Sequence, residues 1–271
     1  MVSFSFKEWL VSEMGAATSL RNPAANKCII MLGGPGSGKS FASSFFPEFA
    51  TSQSDKFLQH LMVKASKEGA LKGAVEFDPS GKPSRYKADF HNPDIRNLNL
   101  RAGDLQQKQL DMYSGALTPY IVEATGAWID SVVNRKNFAE KMGYDVFGIM
   151  VHVPSVETAV QANRGRDREI NEKDLIDIHT KLKDPNHMQE VRSVFHPERF
   201  FEVTNDRSDK VRQQMQSIRK AILNAKYTNP IGFGRMQRAV QDDETWHKSQ
   251  GIDNKPIPDH RYAFPLPTVK V

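Results

Sequence analysis

Residues 33–40 read Gly33-Gly34-Pro35-Gly36-Ser37-Gly38-Lys39-Ser40. Gly33, four residues and then Gly38-Lys39-Ser40 complete a Walker A phosphate loop. Ahead of it, Cys28-Ile29-Ile30-Met31-Leu32 is an apolar run of strand length. Behind it, Phe41 to Phe46 continue as a helix until Pro47. Strand, glycine loop and helix are the context the motif requires. The glycines let backbone N–H groups curl around a phosphate chain without Cβ clashes, and the helix N-terminus adds partial positive charge. Gly33, Gly34, Pro35, Gly36, Ser37, Gly38, Lys39 and Ser40 are therefore candidate nucleotide ligands. Lys39 is expected on the β and γ phosphates and the Ser40 hydroxyl on Mg²⁺. The competing reading is a glycine-rich turn with an accidental lysine, which would leave the flanking strand and helix a coincidence.

The alternation continues outward from the loop. Strands are expected over residues 49–51, 120–124, 145–153 and 199–203. Helices are expected over 55–67, 94–114 (interrupted near Gly103), 130–142, 155–170 and 171–183. A last amphipathic helix, 208–227, carries Val211, Met215, Ile218 and Ile222 at helical spacing. Strands alternating with helices predict an α/β fold, a parallel sheet covered on both faces. Residues 1–26 read as a short N-terminal helix and a connector, 27–226 as the nucleotide-binding domain, and 227–271 as an extended, proline-containing tail. Residues 68–93, rich in Gly, Pro, Lys and Asp, read as a turn or mobile loop.

The chain has 271 residues, a net charge of +5 and a single cysteine; its pI is about 9.2. The apolar and charged fractions are ordinary for a soluble protein. No stretch has the length of a membrane span, and the first residues lack the pattern of a secretory signal. One cysteine excludes an internal disulfide and a Cys-cluster zinc site. A reducing cytoplasm is the expected location. The positive balance favours a polyanionic partner, with DNA the expected one.

A phosphate loop gives binding, not a reaction. Asp55 follows the second strand, where open α/β sheets bind ligands, and is placed to take a proton from a hydroxyl attacking a γ-phosphate. It also reads as a cap of the following helix. Glu123, ending the 120–124 strand, is a candidate Mg²⁺ ligand beside Ser40, or else part of a turn at Gly126. Arg164, Arg166 and Arg168 lie after the fourth strand. On one helix Arg164 and Arg168 share a face, and as a lid they would stabilise a transferring phosphoryl group; a solvated charged face is the other reading. Lys82, Arg85, Lys87, Arg96 and Arg101, interleaved with Tyr86, Phe90 and His91, suit a nucleic-acid strand or simply a solvated loop.

Together these pieces (Gly33 to Ser40, Asp55, Val122-Glu123-Ala124-Thr125-Gly126, and Gly143-Tyr144-Asp145 leading into Arg164, Arg166 and Arg168) resemble the zeta-toxin and polynucleotide-kinase-like P-loop kinases, which include phage-encoded members. The resemblance covers residues 27–205. It implies a five-stranded, mostly parallel core, a helical arginine lid, and ATP- and Mg²⁺-dependent phosphorylation of a hydroxyl. It further implies Asp55 as base, Lys39, Arg164 and Arg168 at the phosphoryl group, and Arg166 on the nucleotide. Such kinases commonly place arginine where this chain has Ala162, and often aspartate where it has Glu123. Acceptors across the group are a 5′-hydroxyl end, 5-hydroxymethyluracil in DNA, or an amino-sugar nucleotide; the basic charge favours DNA. A nucleotide-binding interaction protein without transfer activity is the reading from another functional class.

Overall fold

The computed structural model describes residues 22–87, 89–164 and 168–249. The N-terminal helix expected over 3–15, Arg166, and residues 250–271 of the tail lie outside them. Among the described residues, five parallel strands form the central sheet: β1 (Lys27–Leu32), β2 (Ala50–Ser52), β5 (Tyr120–Ala124), β6 (Asp145–His152) and β8 (Phe200–Thr204). Their order is β2-β5-β1-β6-β8. The phosphate-loop strand is thus central, with chain crossovers on either side of it. β1 is buried along its whole length, which is why it reads as an unbroken apolar run rather than an alternating one.

The two sides of each strand feed two cores. Cys28, Ile30 and Leu32 point to one side, with Val122, Val146 and Met150. Helices α3 (Pro93–Gly115), α4 (Ile129–Lys141) and α7 (Pro185–Ser193) cover that side with Tyr113, Val132 and Val191. Ile29 and Met31 point to the other side, where α1 (Lys39–Ser43) and α8 (Asp209–Asn224) supply Ala42, Val211, Met215, Ile218 and Ile222. Burying each of the Val, Leu, Ile and Met side chains among these contributes about 1.5–3 kcal/mol relative to exposure. The expected α/β architecture is observed, with the α8 stripe where its spacing put it.

Four expectations need correction. Residues 68–93 are not only loop: β3 (Val75–Phe77) and β4 (Pro83–Lys87) pair antiparallel, and β4 pairs in parallel with β7 (Arg168–Glu169) as a second, small sheet. α3 runs through Gly103 without a break; no heavy atom lies within 4 Å of a Cβ there, and one exposed glycine costs a helix of this length only about 1 kcal/mol. The helix expected over 155–170 is α5 (Val156–Arg164) alone. Arg168 belongs to a strand, so Arg164 and Arg168 do not share a helix face. Finally, the extended tail begins as helix α9 (Pro230–Ser249). Asn229 Oδ1 accepts from the amides of Ile231 and Gly232, and a proline in the first turn forfeits no helical hydrogen bond. The α7 helix was not anticipated either; Asp184 caps it ahead of Pro185.

The remaining helices are α2 (Ser54–Lys67) and α6 (Glu172–Lys183). α2 and α3 pack through their own cluster, with Phe57, Leu58, Met62, Ile95 and Ala102 buried between them and β3. This places the β2–α2 turn, and Asp55 with it, on a firm base. Among the described residues no helix is long and apolar enough to cross a membrane.

Candidate active site

The carboxyl ends of β1, β2 and β5 open into a cleft of about 820 Å³. The phosphate loop forms one wall. Gly38 has φ 88° and stands as the N-cap of α1; a Cβ there would lie 2.0 Å from Asn205 Nδ2. Gly36, at φ 77°, packs against the backbone of Ala159 in α5. Both positions need glycine, one for left-handed backbone and close approach, the other for contact with the helix behind the loop.

Three contacts hold the loop from outside. Asn205 Nδ2 donates to the Ser37 carbonyl at 2.9 Å. Gly33 N donates to the Thr125 carbonyl at 3.2 Å, tying the loop to the end of β5. His179, 3% exposed on α6, sets its Nε2 2.7 Å from the Pro35 carbonyl. A carbonyl only accepts, so Nε2 carries the proton. Burial lowers the His179 pKa, opposed by the Pro35 bond and aided by the nearby Lys39 charge. The ring is therefore neutral at physiological pH. Lys39 Nζ reaches back over the loop to the carbonyls of Gly33 at 2.7 Å and Gly34 at 3.3 Å.

The facing wall comes from β2, β5 and the turns after them. Gln53 is the N-cap position of α2, and Asp55 stands in the first turn, where a carboxylate also suits the helix dipole. Gln53 Nε2 donates to Glu123 Oε1 at 2.5 Å, which fixes the carboxylate at the end of β5. Lys39, Ser40, Asp55 and Glu123 all line this one cleft. The arginines are distributed otherwise. Arg164 ends α5, and its Nη2 donates to Glu172 Oε2 at 3.1 Å on the open surface; it is not part of the cleft wall. Arg168 lies in β7, and Arg166 is outside the described residues.

No family model matches the chain, and no curated protein matches it. Similar solved structures include a putative kinase from Chloroflexus aurantiacus, 15% identical, with a TM-score of 0.44 over 73% of this chain and 98% of that one. Shikimate kinase from Acinetobacter baumannii is 13% identical, with a TM-score of 0.42 over 78% and 100%. The PezAT toxin-antitoxin structure from Streptococcus pneumoniae is 15% identical, with a TM-score of 0.45 over 81% and 96%. The functional assignment rests on the cleft itself.

Sequence reading missed residues of two kinds, those that brace the phosphate loop from outside (His179, Asn205) and those that line the cleft (Arg135, Trp128). His179 belongs to the stripe Leu175–His179–Leu182, all three buried, so its helical spacing was the available signal. Arg135 sits likewise between the buried Val132 and Ala139 of α4. Asn205 directly follows β8, at the strand end where ligands gather. Trp128, 58% exposed, adds apolar surface to the cleft beside Phe90, 37% exposed, which the sequence does single out within its basic, aromatic stretch.

Proposed function

We propose that this chain is an ATP-dependent kinase that moves the γ-phosphate onto a hydroxyl carried by DNA, either a hydroxymethylated pyrimidine base or a 5′-hydroxyl end. The observation that carries the transfer reading is the shared cleft: the phosphate-gripping Lys39 and Ser40 and the carboxylate of Asp55 line one cavity. Backbone amides of the loop and the Lys39 ammonium bind the phosphate chain. Asp55 accepts the proton of the acceptor hydroxyl. The hydroxyl oxygen bonds to the γ-phosphorus, the bond from that phosphorus to the bridging oxygen breaks, and ADP leaves with the electron pair.

The donor set beside the loop fits Mg²⁺, with the Ser40 hydroxyl and the Glu123 carboxylate as hard oxygen ligands in the same cleft. The ion, when bound with ATP, neutralises phosphate charge. Gln53 keeps Glu123 oriented for it. Arg164, Arg166 and Arg168 are assigned to the lid. Arg164 reaches the phosphoryl group by exchanging Glu172 for it, and an exposed pair of this kind holds with only about 0–1 kcal/mol.

Two features support DNA as acceptor. The net charge is +5, and the exposed rings of Phe90 and Trp128 in the cleft wall offer stacking surface to a base, which would have to be flipped out of a duplex. A specific observation favours a small acceptor instead, such as an amino-sugar nucleotide: Asp174 and Asp177 also line the cleft and would repel a polyanion. Incubation with γ-labelled ATP and three acceptors (5′-hydroxyl DNA, hydroxymethyluracil DNA, an amino-sugar nucleotide) decides. Label in either DNA is the expected result. Label in the sugar nucleotide alone replaces the DNA acceptor, and label in none of them overturns the proposal.

A further inference from the structure

Resting on the phosphotransfer reading, we propose that Arg135 is the acceptor's anion-binding residue: a phosphate or carboxylate group on the molecule being phosphorylated bonds to its guanidinium. The site lies in the β2–β5 half of the cleft, with Gln53, Asp55 and Glu123.

The starting observation is a cation without a counter-ion. Arg135 stands on the inward stripe of α4, between the buried Val132 and Ala139, and lines the cleft. Its Nη1 donates to Gln106 Oε1 at 3.3 Å. Its Nε is buried and has no acceptor. Among the described residues no carboxylate pairs with it. Its titratable neighbours toward the core are neutral: burial pushes the Cys28 thiol up to about 12 and holds the Tyr120 phenol well above its ordinary value. The desolvated guanidinium is itself easier to deprotonate than usual, burial being the main cause.

Taking a guanidinium out of water without a paired anion is strongly unfavourable. A single neutral acceptor at 3.3 Å does not offset that. An anion entering from the cleft does, because the planar fork matches the two oxygens of a carboxylate or phosphate. The fork is also held ready. Gln106 is 3% exposed, and its Nε2 donates to the Ser52 carbonyl at 3.2 Å. That bond leaves Oε1 as the end facing Arg135. The guanidinium is thus positioned by a side chain anchored to β2, the strand that leads into Asp55.

Calorimetric titration tests this on the full chain saturated with Mg²⁺ and a non-hydrolysable ATP analogue, so that the phosphate loop is filled. Inorganic phosphate and acetate are the two probes, and the one that binds identifies the anion. Binding by the wild type, weakened about tenfold or more in Arg135→Met and less in Arg135→Lys, is the expected result. Unchanged analogue affinity in both variants shows that they are folded. If neither anion binds, or if the variants bind it as the wild type does, the proposal is overturned while the kinase reading stands. If Arg135→Met weakens the ATP analogue with the chain still folded, Arg135 serves the nucleotide and the acceptor assignment fails. If the wild type does not bind the analogue, the kinase reading fails first.

Discussion

The imidazole of His179 occupies the space that a side chain at Gly34 would need. A Cβ on Gly34 would stand 2.5 Å from His179 Cε1, and the same ring donates its Nε2 proton to the Pro35 carbonyl. The phosphate loop is therefore shaped partly by a residue 144 positions later in the chain, reached through helix α6.

Gly34→Ala must push the ring aside and break the Pro35 bond. ATP affinity is expected to fall about tenfold or more, some 1.4 kcal/mol. His179→Ala removes both obstacle and support, so the double variant binds better than Gly34→Ala alone. A calorimetric double-mutant cycle should return a coupling of about 0.5–3 kcal/mol. Additive losses would mean that the ring and the loop act independently. The pH dependence has a definite sign. Because burial lowers the folded His179 pKa, its contribution is complete above about pH 6.5 and declines as pH falls below it, where the unfolded chain takes the proton first. Loss of folding stability with acidification, read by urea unfolding, should be shallower in His179→Phe.

Lys27 shows the same sign in a more alkaline window, at the other end of the sheet. Its ammonium is buried, donating to the Ile222 and Leu223 carbonyls at the end of α8 at 2.9 and 2.7 Å. Burial lowers its pKa to about 8, against the attraction of Asp145. Between that value and the ordinary 10.5 the unfolded chain holds a proton that the folded chain has released, so stability rises with pH. Urea unfolding should show the wild type gaining about 2 kcal/mol on Lys27→Met between about pH 7.5 and about pH 9.5. A constant gap would refute the burial cost.

How far these features were readable depends on how local their causes are. β1, β5 and β6 are buried on both faces and announce themselves as apolar runs; α8 carries its stripe within one helix. The small sheet was not legible, because β4 meets β7 through Tyr86–Arg168 and Lys87–Glu169, a pairing across some eighty residues made by strands too short and polar to show a period. The end of α5 had a local sign, Gly165 after Arg164, and so did α9, Asn229 before Pro230; both were outweighed by the arginine run and by the density of prolines. Lys39, Ser40, Asp55 and Glu123 were legible as residues of one cleft because each lies at or just beyond the carboxyl end of a strand, in the glycine loop and helix after β1, the first turn of α2 and the end of β5. Arg135 and His179 were missed because a polar residue on a buried helix stripe has meaning only once the facing wall is known.

α9 is held by Asn229, Arg235 and Met236, and it makes one crowded contact at Gly232. A Cβ on Gly232 would fall 1.9 Å from both Asn26 Nδ2 and the Gly143 carbonyl oxygen, and those two atoms are already hydrogen-bonded to each other at 2.7 Å. Backbone on one side leaves little room to yield. Gly232→Ala should destabilise the fold by about 1–3 kcal/mol, as overpacking does, visible as a lowered Tm. ATP affinity should be unchanged, since Asn26 and Gly143 precede β1 and β6 and lie at the sheet ends opposite the cleft. Full stability in the variant would show that the contact at Gly232 yields without cost.

Lys39 and Asp55 line the same cleft yet should fail in different ways. The Lys39 ammonium, now on the Gly33 and Gly34 carbonyls, can exchange them for phosphate oxygens in the ground state as well as in the transition state. Lys39→Met should therefore raise the Kd for ATP as well as slow transfer. Asp55 stands in the first turn of α2, and in the proposed role its carboxylate engages the acceptor proton, not the nucleotide. Asp55→Asn keeps the shape and removes the base, so the Kd for ATP should stay within about twofold while kcat drops by about 10²–10⁴, the usual range for a lost general base. Equilibrium binding of ATP and single-turnover transfer to the acceptor that takes label separate the two effects. If Asp55→Asn weakens ATP and leaves the transfer step intact, its carboxylate belongs to the nucleotide site and the proton must leave by another route.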